Sequence, residues 1–503
     1  MRKKISLCIH GHFYQPPREN AWTNEIRVQP TAAPFHDWNE RILQECYKPN
    51  SEAVIVDGHD EVIGRVNNYE YYNFDFGPTL LLWIMKKHPR TYEKIIEADK
   101  ISLEKHNGHG NAIAMVYNHM IMPLANHRDK ITQVKWGLAD FRFHFGRDSE
   151  GIWLPETACN DATLEVLISE GIKYIILDPS QAQCIRKIKR GKWKDVSSGN
   201  IDTGIPYRCF SANSPDQFIN IFFYNGSLSK NIAFDDYIYS ADKLFNRIKQ
   251  VPVNGEYKDH LISVAVDGET FGHHKKHTER TMAYLFSKLI SESEYSIKNF
   301  GEYLAYHQPA YEVKIKKGRN SEGTSWSCLH GTGRWMENCG CGRGEDLWSQ
   351  EWRTPLRESL NNLRDKLSLI YENSGSKLLK DVWNARNDYI NLILDDKPES
   401  KEKFFYFHSK KYLDENETKL CLKLLEMQKY SMLMFTSCGW FFSDISGIET
   451  IQILEYAARA IELAVESTGI NLEKEFLDKL SEAKSNLPEY TDGRDLYFKK
   501  INR

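Results

Sequence analysis

Two short acidic stretches carry the chemistry that this sequence offers. In Gly151-Ile152-Trp153-Leu154-Pro155-Glu156, three apolar, β-prone residues are stopped by a proline, which has no amide proton for a central ladder. Asn160 and Asp161 follow, both good helix N-caps, and then Leu164, Leu167 and Ile168 before Gly171. Glu156 therefore sits where a strand hands over to a helix, the end of parallel α/β architectures at which catalytic groups collect. The second stretch repeats the arrangement. Leu261 to Val266 is a buried-type strand that runs into Asp267-Gly268-Glu269-Thr270-Phe271-Gly272-His273-His274, with glycines that let the backbone turn close to a ligand. Two acids at the same end of a set of strands invite pairing. An attacking carboxylate and a proton-giving carboxyl about 5–5.5 Å apart cleave a glycosidic bond with retention, and burial with mutual repulsion splits their pKa values. Taken singly, either acid reads equally as a loop carboxylate that pairs with a neighbour.

The elements needed to hold such a pair can be read along the chain. Residues 5–13 predict a strand with Ser6, Cys8, His10 and His12 on one face. Helical spacing follows around Trp38, Ile42 and Cys46, from Pro78 to Pro89, and through Ile131, Val134, Leu138 and Phe141 up to Gly146. Further strands are expected at 174–177, 219–224 and 261–266, with a polar excursion of about forty residues after the first. Helices around Leu244 and around Leu285 complete the series. The alternation predicts a closed or nearly closed β/α barrel over residues 1–310, with an open doubly wound sheet as the alternative. No glycine-rich phosphate fingerprint follows any strand. Residues 311–346 read as a Gly- and Cys-rich connection. Residues 347–503 read as an α-helical bundle that completes the cleft, from the spacing of Leu356, Leu360, Leu363 and Leu367 and later repeats of it.

The acidic stretches, together with His12-Phe13-Tyr14-Gln15-Pro16, Phe74-Asp75-Phe76-Gly77-Pro78-Thr79-Leu80 and His119-Met120-Ile121-Met122-Pro123-Leu124, resemble glycoside hydrolase family 57 in type and order. The helical half, including Ser437-Cys438-Gly439-Trp440-Phe441-Phe442-Ser443-Asp444, resembles a poorly characterised branch of that family. The resemblance implies an α/β fold with a seven-stranded (β/α) barrel followed by an α-helical domain. It implies a retaining hydrolase or 4-α-glucanotransferase acting on α-linked glucans or oligosaccharides, with no cofactor. Glu156 stands at the family's nucleophile and Asp267 at its general acid/base. Glu269 is the expected supporting carboxylate, and His10, His12 and Trp153 are expected to contact the sugar or steady Glu156. His273 is expected to meet substrate while His274 faces solvent. Trp440 and Asp444 are expected to close the cleft, the indole stacking on a sugar ring, with a Trp buried at the domain interface as the alternative. Asn111 stands where many members carry Glu, so a sugar-binding role survives there and an acid–base role does not.

Composition narrows the field further. A chain of 503 residues splits into two or three domains, and its net charge of −3 gives no footprint for nucleic acid. The basic run at residues 186–192 is too short to change that and reads as a solvated loop. The N-terminus has too short an apolar run for a signal peptide, and no stretch approaches 18 apolar residues, so neither secretion nor membrane insertion is expected and the cytosol is. Ten cysteines are then expected as reduced thiols. The 12 Trp, 26 Tyr and 24 Phe suit a carbohydrate site, although large cores use them too. Cys328, His330, Cys339 and Cys341 have Zn²⁺-ligand types, but their C-x-H and C-x-C spacings differ from common fingers. A packed, metal-free connection is expected there, with His330, Arg334 or Trp335 near the cleft. Two competing functions stay open: a metal-dependent polysaccharide deacetylase- or mannosidase-like enzyme using His10, His12, Asp57 and His59, and a non-catalytic glucan-binding protein.

Overall fold

Ile5, Leu7 and Ile9 alternate with Ser6, Cys8 and His10 along the first strand, and all six are buried, so that strand is covered on both faces as a parallel strand must be. The computed structural model describes residues 4–57, 59, 61–253, 259–342 and 348–501. Seven strands with parallel partners are β1 (Lys4–Phe13), β2 (Asn73–Phe76), β3 (Ala114–Met115), β4 (Ile152–Trp153), β5 (Tyr174–Leu177), β6 (Phe218–Phe223) and β7 (Asp259–Asp267), and Tyr295–Ile297 adds a further short parallel partner along Ile5–Leu7 of β1. Parallel ladders join β1 to both β7 and β2, β3 to β4, and β5 to β6. Single parallel bridges, Phe74 with Ala112 and Gly151 with Tyr174, link these groups. The fold is α/β with a helical C-terminal region. Its ladders fall into four sheets, and a closed ring of seven strands is not drawn by them.

Element types match the periodicities closely. The helix Pro78–Lys87 starts on its proline, His127–Phe145 ends at a left-handed Gly146, and Asn160 caps Asp161–Ser169 by accepting from the Thr163 amide. The polar excursion is where the expectation fails. It holds strands Ala182–Lys187, Lys194–Asp195 and Tyr207–Phe210, and with Tyr311–Ile315 these extend β5 and β6 into a six-stranded mixed sheet. Half-exposed antiparallel strands carry a polar residue at every other position, which hides them among loop residues. Tyr311–Ile315 also carries this six-stranded sheet past residue 310. Residues 343–346 of the expected connection, and Gly58 and Asp60 of the Asp57–Asp60 loop, lie outside the described residues.

The long helices Arg353–Gly375, Glu415–Leu433 and Ile448–Thr468 bury the leucine stripe read from the sequence, and Asp414 with Glu417 forms a capping box. Their core takes in Tyr117, Met120, Ile121 and Trp136 from the α/β part. A fully buried Arg386–Asp129 pair at 2.8 Å adds a directional tie between the two. Among the described residues no helix is long and apolar enough to cross a membrane.

Candidate active site

Strand register sets the first part of the site. His12 on β1 is the register partner of Asp267 on β7 and, on its other side, of Asp75 on β2. Neighbouring strands lie about 4.8 Å apart, so Asp75, His12 and Asp267 form one row at the C-terminal ends of three parallel strands. Asp75 is fully buried and binds two imidazoles, His10 Nε2 at 3.0 Å and His12 Nδ1 at 2.8 Å. The second nitrogen of His12 meets His119 Nε2 at 3.2 Å, and His119 Nδ1 lies 2.6 Å from the Ser437 hydroxyl. Burial disfavours a charge on His12, but the Asp75 carboxylate outweighs it, with Asp267 and Glu269 adding, and the pKa is pushed up to about 9. His119 is held well below the usual range by burial and by the charge on His12. The proton assignment follows: His12 is an imidazolium donating from both nitrogens, and neutral His119 accepts at Nε2 and donates from Nδ1 to Ser437.

Glu156 occupies a turn just after β4, with φ 58° and ψ 21°, a left-handed conformation that costs a non-glycine residue energy and must be held by its surroundings. The chain at Trp326 and Ser327 does the holding. The Trp326 amide donates to the Glu156 carbonyl at 3.0 Å, its indole N–H to Glu156 Oε2 at 3.0 Å, and the Ser327 hydroxyl to the same oxygen at 2.6 Å. Burial raises the Glu156 pKa and the charge of Asp267 raises it further, while Ser327, Trp326 and His12 act in the opposite sense. The two carboxylates therefore sense each other, and both keep access to solvent, Glu156 half-buried and Asp267 exposed. Glu269 is buried behind them. It accepts the Tyr14 amide at 3.0 Å and the Tyr47 hydroxyl at 2.5 Å, and burial, with Asp267 adding and Tyr47 opposing, pushes its pKa up to about 7.

Other expected contacts lie elsewhere. His10 is 0% exposed, with its second nitrogen 2.8 Å from Asn73 Oδ1, so it orients Asp75 and does not reach a sugar. Trp153, also 0% exposed, stacks beneath His10 and His12 at 4.6 and 5.0 Å and meets the edge of Trp326; it floors the site. His273 pairs with Glu45 beside Trp38 and is partly exposed, and His274 is exposed. Trp440 is wholly buried under the Arg357 guanidinium at 4.0 Å, and Asp444 is spent on Ser446, Ser485 and Asn486. Neither closes the cleft. The residues just before them reach the buried histidines instead: Ser437 meets His119, and Cys438 Sγ lies 4.0 Å from the hydroxyl of Tyr14, whose ring stacks on His119 at 3.7 Å. Asn111 is buried against Asn299 and the Tyr69 carbonyl, so it braces the fold rather than a sugar.

In the Cys-rich segment, Trp335 is buried and Arg334 serves the Ser327 and Phe441 carbonyls; Trp326 and Ser327 are the ones that reach a carboxylate. Sequence reasoning missed these two, along with Asp75, His119 and Tyr47. Asp75 and His119 lay inside quoted motifs, whereas no spacing points from Ser327 to Glu156. Cys328 Sγ stands 3.8 Å from Cys339 Sγ and 3.9 Å from Cys341 Sγ, and His330 Nδ1 stands 3.6 Å from Cys341 Sγ. The His10, His12, Asp57 and His59 set of the deacetylase reading does not assemble, because His10 is fully engaged and His59 sits in an exposed turn with Asp57. A cavity of 1040 Å³ between the N-terminal loop and the helical region, walled by Trp83, Tyr117 and Tyr456 among others, contains neither catalytic candidate.

The model of glycosyl hydrolase family 57 matches residues 9–316. The chain belongs to that family. Residues 348–503 match a domain of unknown function, DUF3536. Alpha-amylase 1 of Dictyoglomus thermophilum is 29% identical to this family 57 chain over 106 residues, a match that spans 21% of this chain and 15% of that protein. An exo-type maltose-forming amylase from Pyrococcus sp. ST04 has a similar structure, with a TM-score of 0.65 at 16% identity, covering 99% of this chain and 92% of that one. A family 57 branching enzyme from Thermococcus kodakaraensis (TM-score 0.53, 12% identity, 94% of each chain) and a 4-alpha-glucanotransferase from Thermococcus litoralis (TM-score 0.52, 14% identity, 92% of this chain, 60% of that one) share the fold.

Proposed function

We propose that this family 57 chain is a retaining enzyme that cleaves α-linked glucans or oligosaccharides, passing the glycosyl unit to water or to a sugar hydroxyl. The observation that carries the reading is the pair Glu156 and Asp267, one gripped by Trp326 and Ser327, the other in register with a charged His12. In the first half-reaction the Glu156 carboxylate attacks the anomeric carbon as Asp267 gives its proton to the departing glycosidic oxygen. In the second, Asp267 takes a proton from the incoming hydroxyl, which displaces Glu156 and restores the original anomer. His12, charged and near both acids, offsets their mutual repulsion, so that Glu156 can be ionised beside a polar partner. Glu269, buried with a pKa of about 7, supports the Tyr14 and Tyr47 wall rather than exchanging protons with substrate.

The barrel belongs to this reading as well. The order β7-β1-β2-β3-β4-β5-β6 with parallel neighbours supports it, and the Asn225 amide donating to the Ser263 carbonyl at 2.8 Å spans the remaining gap between the end of β6 and β7. The ten free cysteines support a reducing compartment such as the cytosol. The names of the relatives, amylase, branching enzyme and glucanotransferase, favour an α-glucan over other glycosides. Incubation with a panel of α-glucans, with and without acceptor sugars, followed by mass spectrometry and early-time NMR of the new anomers, tests the proposal. Chain-shortened or chain-transferred products released as the α-anomer support it. Absence of any product across the panel, or inverted anomers, overturns it.

A further inference from the structure

We propose that Cys328, His330, Cys339 and Cys341 form a structural Zn²⁺ site that anchors the segment gripping Glu156. The distances carry the argument. Zn²⁺ bound tetrahedrally at about 2.3 Å from sulfur and about 2.0–2.1 Å from nitrogen requires sulfurs about 3.8 Å apart and sulfur–nitrogen separations of about 3.6 Å. The two Cys328 sulfur–sulfur separations are 3.8 and 3.9 Å, and His330 Nδ1 to Cys341 Sγ is 3.6 Å. All four ligand atoms lie within 4.8 Å of one another. A disulfide needs about 2.05 Å between sulfurs, so neither Cys328 pair is one. The spacings that differ from common fingers are accommodated by backbone shape, since Gly340 at φ 76° and Gly331 at φ 80° curl the chain beside their ligands.

Surroundings complete a site of this kind. Arg353 is wholly buried and directs Nη1 at Cys339 Sγ from 3.8 Å, its other nitrogen reaching the Phe442 carbonyl. Three thiolates and one Zn²⁺ carry a net charge of −1, which gives that buried guanidinium an opposite charge. Ser327, which binds Glu156 Oε2, is bonded directly to Cys328 in the chain, and Arg334 holds the Ser327 carbonyl at 3.2 Å. Between Cys328 and Cys341 the only regular element is the single 3₁₀ turn Gly333–Trp335, and four ligand bonds would tie the loops on either side of it together.

The test is metal content of the full chain purified under reducing conditions without chelator. About one zinc per chain is expected by elemental mass spectrometry, falling about tenfold or more in Cys341→Ser. Cobalt(II) restored to stripped wild-type protein is expected to show thiolate-to-cobalt charge-transfer and tetrahedral ligand-field bands, a readout that holds even where Cys341→Ser fails to fold. Metal-free protein that gives no such bands, a native Cys328–Cys339 disulfide in the peptide map, or full zinc in folded Cys341→Ser each overturns the assignment. The metal count stands whether or not the chain proves to be a glycosidase.

Discussion

The Ser327 hydroxyl donates to Glu156 Oε2 at 2.6 Å although 171 residues separate the two in the chain. Burial and the neighbouring Asp267 lift the Glu156 pKa, against a nucleophile's need for charge, and the Ser327 and Trp326 bonds oppose that lift. A hydrogen bond to a charged group is worth about 1.5–3 kcal/mol, or about 10–100-fold in rate if it is made in full at the transition state. Ser327→Ala should therefore lower kcat/KM on an α-glucan by about that factor. It should also move the acidic limb of the pH–rate profile to higher pH, because the carboxylate loses a group that favours its ionised form. An acidic limb that does not move counts against this role, and Ser327→Thr should restore most of the loss.

Glu269 predicts a pH-dependent stability. Its folded pKa of about 7 lies above the ordinary value of 4.5, so the folded state holds that proton longer than the unfolded chain does. The associated stability is fully present below about pH 4.5 and is lost as pH rises through about 7. Glu269→Gln keeps an acceptor for Tyr14 and Tyr47 without the titration. Relative to wild type it should gain stability between pH 5 and pH 8, by no more than about 3 kcal/mol. Urea midpoints at the two pH values check this, and a constant difference would contradict it.

Asp75 and His12 predict the companion effect. The folded pKa of His12, about 9, lies above its usual 6.5, so the attraction to Asp75 stabilises the fold fully below pH 6.5 and fades as pH climbs through 9. Asp75→Asn should then be markedly less stable than wild type at pH 6, and that gap should narrow by pH 10. Thermal unfolding of both proteins across this range tests the sign.

Trp440 is a packing residue on this account, with its indole N–H on the Arg353 carbonyl and Arg357 over its ring. Trp440→Phe should cost about 1–3 kcal/mol of stability and leave KM for glucans nearly unchanged. A large rise in KM with undiminished stability would return Trp440 to the substrate.

What the sequence discloses follows from how local each signal is. Glu156 and Asp267 were legible because a strand that ends in a proline or glycine turn announces itself in a few residues, and β4, β5 and β7 lie where those residues put them. The leucine stripe of Arg353–Gly375 was legible for the same reason. The strands Ala182–Lys187 and Tyr207–Phe210 were not, since both are short and mix polar with apolar residues, Gln183, Arg186 and Lys187 in one and Arg208 in the other, which makes them read like the loops around them. Trp440 and Asp444 follow closely on a residue that does touch the histidine row, and one helical turn separates a buried indole from the Ser437 that meets His119. No spacing rule links Trp326 and Ser327 to Glu156, so their grip needed the folded chain.

Covalent trapping tests the central claim most directly. Asp267→Asn, given an α-glycosyl fluoride whose leaving group needs no proton, should form the glycosyl-enzyme and resolve it slowly for want of a base. Intact mass should show one added glycosyl unit, peptide mapping should locate it on Glu156, and Glu156→Gln should form none. A label on another residue, or near-normal turnover of a natural glucan by Glu156→Gln, would contradict the account.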